Sequence, residues 1–401
     1  MSEWQQLSLS EVAPYWTEKV EAQKLNEENF ISADNMLSDR QGVINSVYTP
    51  TTGKLTSFKP KDILVSNIRP YFKKIWFANK TGGCSNDVIV FRSADFVNAR
   101  FIYYCLSNND FFAYMMAGAN GTKMPRGNKK SILKYKISLP PLPTQQKIAK
   151  ILSNYDDLIE NNLKRIKLVE ESSRLTYEEW FLRFRVDGKK LDINPESKLP
   201  FGWGENNLGS LVNLHSGYPF KSSDYGDKEK YKLVTIKNVQ DGNFVTKTTD
   251  SISYLPGNLK QNQKLDNGDY IMSLTGNVGR VCLVYGKNYL LNQRVVKLEP
   301  KKLFDYSFLY LLFRNKHMLI QLENISNGAA QQNLSPVNVS KIKLPIPSEA
   351  LRENFNAKIK PNIDLIIQLS LKNQLLKEAR DILLPRLMTG MIDTDKLKVA
   401  V

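Results

Sequence analysis

Loops in both halves of the sequence concentrate the side-chain types that bind phosphate and read base edges. Lys and Arg pair with phosphate, whereas Arg, Asn and Gln can form two hydrogen bonds to one base edge. In the first half, within NIRPYFKK and GANGTKMPRGNKK, the candidates are Arg69, Tyr71, Lys73, Lys74, Asn120, Lys123, Arg126, Asn128, Lys129 and Lys130. In the second half, within TGNVGR, NQR and SNGAAQQNLS, they are Asn277, Arg280, Asn292, Gln293, Arg294, Gln331, Gln332 and Asn333. The predicted chemistry is contact with nucleic acid, and the alternative is a set of solvated polar loops.

The charge balance favours a polyanionic partner. The 401 residues include 56 Lys and Arg against 40 Asp and Glu, a net charge of +16. This excess is spread over both halves, and duplex DNA carries the densest linear negative charge that a cytoplasmic protein commonly meets. Charge alone does not separate specific from non-specific binding, because many basic proteins bind no nucleic acid specifically.

Composition and cysteine usage narrow the class of protein. Apolar residues make up 42% of the chain and aromatic residues 10%, which is typical of a folded protein. No apolar run is long enough for a membrane span, and MSEWQQLSLSEV has no basic segment followed by an apolar core. Cys84, Cys105 and Cys282 are odd in number and far apart, as expected for reduced cysteines. We therefore expect a cytoplasmic protein with no membrane partner.

An internal repeat organises the chain. Two junctions, LPPLPTQQKIAKIL and LPIPSEALRENFNAKI, each connect a β-like run through prolines to a helical pattern, which is predicted to begin at Thr144 and Ser348. Matching residues recur 207 positions apart, namely Asp62 and Asp269, Ser66 and Ser273, Gly121 and Gly328, and Glu171 and Glu378. The sequence therefore predicts two diverged copies, about 1–195 and 196–401.

Each copy has a mixed first part and a helical second part. Short runs rich in Val, Ile, Tyr and Phe, punctuated by Gly and Asn, predict strands and turns. Residues 98–116 and 306–324 are each predicted to be a helix packed on that sheet. The predicted fold class is α+β: two mixed α/β domains separated by two long antiparallel coiled-coil helices, with a pseudo-two-fold internal repeat.

A stripe with alternating spacings of four and three residues runs along both long helices, which is typical of a coiled-coil seam. The predicted seam residues are Ile159, Asn162, Ile166, Val169, Ile366, Leu369, Asn373 and Leu376. The alternative is an amphipathic helix facing a globular core, but the polar Ser173, Thr176 and Arg380 on the same stripe argue against it. Two unlike basic domains on such a scaffold predict a bipartite DNA site with two unlike half-sites.

Several segments resemble a known family. LPPLPTQQKIAKIL, IENNLKRIKLVEESSRLTYEEWFLRFR and LLPRLMTGMID are similar to the helical regions of the specificity subunit of Type I restriction–modification systems. SLTGNVGRVCLV with LNQRVVKL resembles a strand–loop pattern of its target recognition domains, and the resemblance covers nearly the whole chain. It implies target recognition domains at 1–142 and 187–347, a first spacer helix at 143–186, and a second spacer helix with a C-terminal tail at 348–401. In the first domain SNIRPYFKKIWFA lacks the glycines of TGNVG, so a differently shaped loop is expected there.

The resemblance also implies a function and partners. The chain would be a non-catalytic DNA-specificity subunit that binds double-stranded DNA, two modification (methyltransferase) subunits and ATP-driven restriction (motor-nuclease) subunits. The assembled complex would methylate adenine and cut DNA. S-adenosylmethionine, ATP and magnesium are expected in the partner subunits, and no cofactor or metal is expected in this chain.

A self-sufficient enzyme and a stand-alone DNA-binding regulator are the alternatives. An Asn/Asp-Pro-Pro-aromatic motif and a P-loop are missing from the sequence, and a short dimeric recognition-helix motif is also missing. His215 and His317 pair with no cysteine at metal spacing, so they are expected to be surface or packed residues. Glu299 and Lys301 of EPK, with Asp269 upstream, could mimic a metal-nuclease motif, but such a triplet arises easily by chance.

Overall fold

The structure, a computed structural model, describes residues 4–121, 123–226, 229–326 and 332–394. It divides into two compact units, of which unit 1 comprises Met1–Ile159 with Leu376–Val401 and unit 2 comprises Glu160–Leu375. Within the described ranges, no helix combines the length and the apolar character that a membrane crossing requires.

Unit 1 is built from short strands, short helices and parts of two long helices. Its strands are β1 (Gln5–Ser8), β2 (Lys19–Glu21), β3 (Phe30–Ile31), β4 (Lys54–Phe58), β5 (Ile63–Ser66), β6 (Ile75–Phe77), β7 (Gly82–Cys84), β8 (Val88–Phe91) and β9 (Lys136–Leu139). The helices that begin in it are α1 (Leu9–Val12), α2 (Ala99–Ser107), α3 (Asn109–Ala117), α4 (Lys129–Ile132) and the long α5 (Leu142–Tyr177). The strands pair in the orders β6-β5-β8, β2-β4-β7-β3 and β1-β9.

The central strand β5 is buried on both faces. Ile63 and Val65 pack in one core with α2 and α3, whereas Leu64 packs in a second core with Phe58 and Trp76. Because side chains alternate between the two faces of a strand, a continuous apolar run is what a strand between two cores requires.

Unit 2 repeats this plan with additional strands. Its strands are β10 (Arg185–Val186), β11 (Lys189–Lys190), β12 (Gly204–Asn207), β13 (Val212–Ser216), β14 (Tyr231–Val234), β15 (Val239–Gln240), β16 (Asn243–Phe244), β17 (Ser251–Ile252), β18 (Lys264–Leu265), β19 (Tyr270–Ser273), β20 (Val281–Leu283), β21 (Tyr289–Leu291), β22 (Val295–Pro300) and β23 (Lys343–Ile346). The helices that begin in it are α6 (Tyr306–Phe313), α7 (Lys316–Asn324), α8 (Pro336–Ser340) and the long α9 (Glu349–Met388). The strands pair in the orders β13-β22-β19-β20, β17-β14-β21-β18, β12-β23, β15-β16 and β10-β11.

The internal repeat is confirmed at the level of strand pairing. In each unit one strand, β7 or β21, pairs antiparallel on one side, with β4 or β18. On its other side the same strand pairs parallel, with β3 or β14. In each unit an early strand also pairs antiparallel with the strand that directly precedes the long helix. These pairs are β1 with β9 and β12 with β23. Each unit is therefore a mixed α/β structure with the same core pattern of strand pairing.

The long helices begin close to their predicted positions. Helix α5 begins at Leu142, two residues before the predicted Thr144, because the first turn tolerates Pro143. Helix α9 begins directly after Ser348, whose Oγ accepts a hydrogen bond from the Leu351 amide at 3.4 Å. Their lengths are 36 and 40 residues.

The prediction of one helix at 98–116 and one at 306–324 is wrong, because each segment contains two short helices. Asn108 and Asn315 have extended backbones, which interrupt the helical hydrogen bonds between α2 and α3 and between α6 and α7. The Asn315 side chain also accepts a hydrogen bond from the His317 amide at 2.9 Å and so begins the second helix.

Polar contacts show how the long helices pair. Within unit 2, Asn162 Nδ2 donates to Asn373 Oδ1 at 2.8 Å, and Asn362 Nδ2 donates to Ser173 Oγ at 3.1 Å. The α5 partner moves forward from 162 to 173 while the α9 partner moves back from 373 to 362, so the predicted antiparallel pairing is confirmed in this unit. Within unit 1, the Arg380 guanidinium of α9 donates to Asp156 Oδ1 of α5 at 2.7 Å.

The predicted seam residues lie on the inward side of the two helices. Those that are buried are Ile159, Asn162, Ile366, Leu369 and Asn373, and those that are half-buried are Ile166, Val169 and Leu376. The buried asparagines are tolerated because their amides bond to each other, and such layers fix the register of a helix pair.

Candidate nucleic-acid interface

In unit 1 the candidate residues lie on two loops that the backbone holds together. The β5–β6 turn, residues 67–74, and the described part of the α3–α4 loop, residues 118–121 and 123–128, form the loop pair of unit 1. The Arg69 amide donates to the Pro125 carbonyl at 2.8 Å, and the Gly127 amide donates to the Asn67 carbonyl at 3.0 Å. Two predicted segments that lie about fifty residues apart in sequence are therefore neighbours.

Arg126 is the most constrained exposed cation of this loop pair. Its Nε and Nη2 lie 3.2 Å and 3.1 Å from Asp87 Oδ1. Its backbone exchanges two 2.9 Å hydrogen bonds with Asn120, which close the loop that carries the exposed Lys123. An arginine oriented by a carboxylate can present its remaining donors in a defined direction.

Three of the predicted residues make side-chain hydrogen bonds within unit 1. Lys73 Nζ donates to Asn109 Oδ1 at 2.8 Å, and Lys74 Nζ donates to the Ala33 carbonyl at 2.5 Å. Burial lowers the pKa of the Lys74 ammonium. Asn128 caps α4 by accepting from the Lys130 and Ser131 amides. Of the remaining candidates, Arg69, Tyr71, Lys129 and Lys130 are exposed.

The loop pair of unit 2 consists of the β19–β20 turn, residues 274–280, and residues 332–335 before α8. The Gly276 amide donates to the Gln332 carbonyl at 3.3 Å, and the Leu334 amide donates to the Leu274 carbonyl at 2.8 Å. The predicted Asn277, Gln332 and Asn333 are exposed on it. Gln331 lies outside the described residues.

The NQR segment joins the same face of unit 2. The Leu274 amide donates to the Arg294 carbonyl at 3.0 Å, and Gln293 and Arg294 are exposed. Asn292 is half-buried, and its amide donates to the Val234 carbonyl at 3.1 Å. Arg280 donates from Nη1 to Gln240 Oε1 at 2.6 Å, so part of its hydrogen-bonding capacity is used inside the unit.

The two loop pairs have equivalent backbones. The bonds Arg69 to Pro125, Gly127 to Asn67 and Asn67 to Asp87 recur 207 positions later as Gly276 to Gln332, Leu334 to Leu274 and Leu274 to Arg294. Asp87 therefore occupies the position of Arg294. Residue types alone did not single out Asp87, but the 207-residue offset from Arg294 could have identified it.

The metal-nuclease alternative finds no support in the described ranges, where no group of three His, Cys, Asp or Glu could hold a metal ion. Asp269 Oδ2 lies 2.8 Å from Lys297 Nζ, and Glu299 Oε2 lies 2.6 Å from His215 Nε2. Burial raises the pKa of the Cys84 and Cys282 thiols to about 12, so these thiols are poor nucleophiles.

Comparisons with known proteins agree with this arrangement. The chain is 23% identical, over an alignment 462 positions long, to the HindI specificity subunit of Haemophilus influenzae, covering 98% of this chain and all of that protein. It is 26% identical to the MjaVIII specificity subunit of Methanocaldococcus jannaschii, over 74% of this chain and 71% of that one. Its fold is similar to that of the Type I restriction–modification S subunit from M. genitalium, with a TM-score of 0.56, 18% identity and coverage of 96% of both chains.

A family match covers most of the sequence in two segments. Residues 1–171 and 200–376 both match the family described as Type I restriction modification DNA specificity domain. These segments contain the two repeated sheets, both loop pairs and most of the long helices. The chain belongs to the family of Type I restriction–modification DNA specificity proteins.

Proposed function

We propose that this chain is the non-catalytic subunit that gives a Type I restriction–modification complex its DNA sequence specificity. The observation that carries the proposal is the pair of equivalent backbone scaffolds with different exposed side chains. Each loop pair binds one half of a bipartite duplex target, with cations on phosphates and Arg, Asn or Gln on base edges. Because the side chains differ, the half-sites are unlike.

The long helices supply the docking surface for the other subunits. Leu163, Leu168 and Leu175 of α5 and Leu375 of α9 are exposed by 51%, 69%, 44% and 65%. A contiguous exposed apolar patch marks a surface that another protein covers, and Leu168 and Leu175, which are about two turns apart, lie on one face of α5. Two modification subunits bind there, restriction subunits join them, and S-adenosylmethionine, ATP and magnesium are bound by those partners.

Exchange of one domain tests this function. Replacing residues 1–142 with the corresponding domain of another family member, in cells that carry the modification subunits, should change one half of the methylated motif. Single-molecule sequencing of genomic DNA reads the motif, and the unaltered chain is the control. A change in both halves would contradict separate reading by the two units.

A second measurement addresses the absence of catalysis in this chain. The purified chain, incubated with duplex DNA and radiolabelled S-adenosylmethionine, should transfer no methyl group until a modification subunit is added. Methyl transfer by the chain alone, free of contaminating partner, would show that it is an enzyme.

A further inference from the structure

The β5–β6 turn of unit 1 presents two adjacent aromatic rings to solvent. Tyr71 is 48% exposed and Phe72 is 37% exposed, and their ring centroids lie 4.6 Å apart. In unit 2 the corresponding turn presents Asn277, and Val278 beside it is buried. The exposed aromatic pair therefore belongs to one of the two loop pairs only.

The turn that carries these rings is held by backbone hydrogen bonds. The Phe72 carbonyl accepts from the Asp39 amide at 2.8 Å, and the Lys73 carbonyl accepts from the Arg40 amide at 3.1 Å. Arg69 and Lys73 flank the aromatic pair with left-handed backbones, at φ values of 50° and 51°. Such conformations are unfavourable for residues with a Cβ and persist where the surroundings enforce them. The rings are thus mounted on a fixed turn.

Cationic residues lie beside the aromatic pair. Lys74 Nζ lies 5.7 Å from the centre of the Phe72 ring, and Arg69 begins the turn. The Arg69 amide is bonded to the loop that carries Lys123 and Arg126. A ligand for this surface must offer negative charge and flat apolar faces together. Nucleic acid does so, because phosphates and base faces alternate along the strand.

We propose that Tyr71 and Phe72 form an aromatic wedge that stacks on the bases of the half-site bound by unit 1 and opens a base step there. This inference rests on the proposed function and adds to it an asymmetry between the two half-sites. Apolar side chains inserted between base pairs unstack the step and kink the duplex, and the exposed cations of the loop pair, Arg69, Lys123 and Arg126, bind the flanking phosphates. In unit 2 the polar Asn277 contacts the DNA without insertion.

Equilibrium binding by the full-length chain tests the wedge, with a fluorescent duplex that carries the methylated motif found by sequencing. Tyr71→Ser should weaken binding by about tenfold, the effect of losing one base–aromatic stacking contact, whereas Tyr71→Phe keeps the ring and should stay within about twofold of the wild type. The slope of log K against log salt should not change with Tyr71→Ser, because no cation is removed. Arg126→Gln should reduce that slope by about one.

Phe96→Ser is the matched control, because Phe96 is 55% exposed and follows the end of β8 that lies farthest from the turn. It should bind like the wild type. If the wild type distinguishes the motif from a scrambled duplex but Tyr71→Ser binds as tightly as Phe96→Ser, the wedge is wrong and the proposed function stands. If Tyr71→Ser releases a copurifying subunit instead, the aromatic pair is a protein contact and the wedge is again wrong. If the wild type shows no preference for the motif, the proposed function itself fails.

Discussion

The loop pairs of the two units share their backbone hydrogen bonds and differ in their exposed side chains. Arg69 of unit 1 matches Gly276 of unit 2, Asp87 matches Arg294, and Arg126 matches Asn333. Backbone amides and carbonyls make the bonds that align the loops, so these bonds do not depend on side-chain identity. The comparison teaches that this fold can change the exposed side chains of its loops while it keeps the scaffold that positions them.

A second comparison concerns the start of each long helix. In unit 1 the buried Gln145 of α5 donates to the Pro140 carbonyl at 2.8 Å and accepts from the Asn98 amide at 2.9 Å. In unit 2 Arg352 of α9 donates to the Pro347 carbonyl at 3.0 Å and forms a buried ion pair with Asp305. Each unit therefore ties the start of its long helix to the start of a short helix, α2 in unit 1 with neutral groups and α6 in unit 2 with charges.

The largest expected effect comes from breaking the buried ion pair between Arg352 and Asp305. Arg352→Gln should lower the free energy of unfolding by about 3–5 kcal/mol, because it leaves the Asp305 carboxylate buried without a counter-ion. Adding Asp305→Asn installs the neutral residues of unit 1 and should recover more than half of the loss. Urea unfolding followed by circular dichroism measures both variants. Equal losses of unfolding free energy in the single and double variants would show that the unpaired carboxylate is not the cause of the destabilisation.

The polar contacts between the long helices should give intermediate effects that differ between the units. Arg380→Leu removes a charged hydrogen bond to Asp156, which also accepts from Tyr104, and should cost about 1.5–3 kcal/mol. Its counterpart in unit 2 is Ser173→Ala, which removes the neutral bond from Asn362 and should cost about 0.5–1.5 kcal/mol. Both losses are measured as shifts in the urea midpoint.

Asp381→Asn is the control for the charged contact, because Asp381 also pairs with Arg380 but is half exposed. It should change stability by less than about 0.5 kcal/mol. A larger loss from Asp381→Asn than from Arg380→Leu would place the important pairing at the surface instead of between the helices.

The smallest effect concerns the matched turn positions in the two loop pairs. Gly276 has φ of 72°, and a Cβ there would meet Ile236 Cδ1 at an ordinary 3.5 Å, so Gly276→Ala should cost about 1 kcal/mol through backbone strain alone. Arg69→Ala should change stability by less than about 0.5 kcal/mol. Arginine and alanine both carry a Cβ, so the strain at the φ of 50° is the same before and after this substitution. Thermal unfolding measures the difference. Equal losses of stability in Gly276→Ala and Arg69→Ala would show that the backbone strain at position 69 differs from that at position 276.

Much of the architecture was determined by the sequence alone. The 207-residue offset aligned the loops and the long helices, because a repeat keeps register wherever insertions are absent, and it slips to 205 across the proline junctions. The seam followed from helical periodicity, which is a local property of the chain. Segments rich in Gly, Asn and basic or amide side chains indicated loops in both units, because residue composition is also a local property of the chain. A loop shape different from TGNVG was expected in unit 1, and the structure shows an aromatic turn that keeps the left-handed start at Arg69.

The use of individual side chains was decided by the tertiary structure. Lys74 and Asn128 look like loop residues without partners in the sequence, yet Lys74 bonds the Ala33 carbonyl and Asn128 caps α4. Asp87 orients Arg126 across a separation of 39 residues, and Asp305 meets Arg352 across 47. Composition and periodicity indicate only the local structure of the segment in which a residue lies. Partners that distant become neighbours only after the chain has folded, so their pairing is a property of the packed fold.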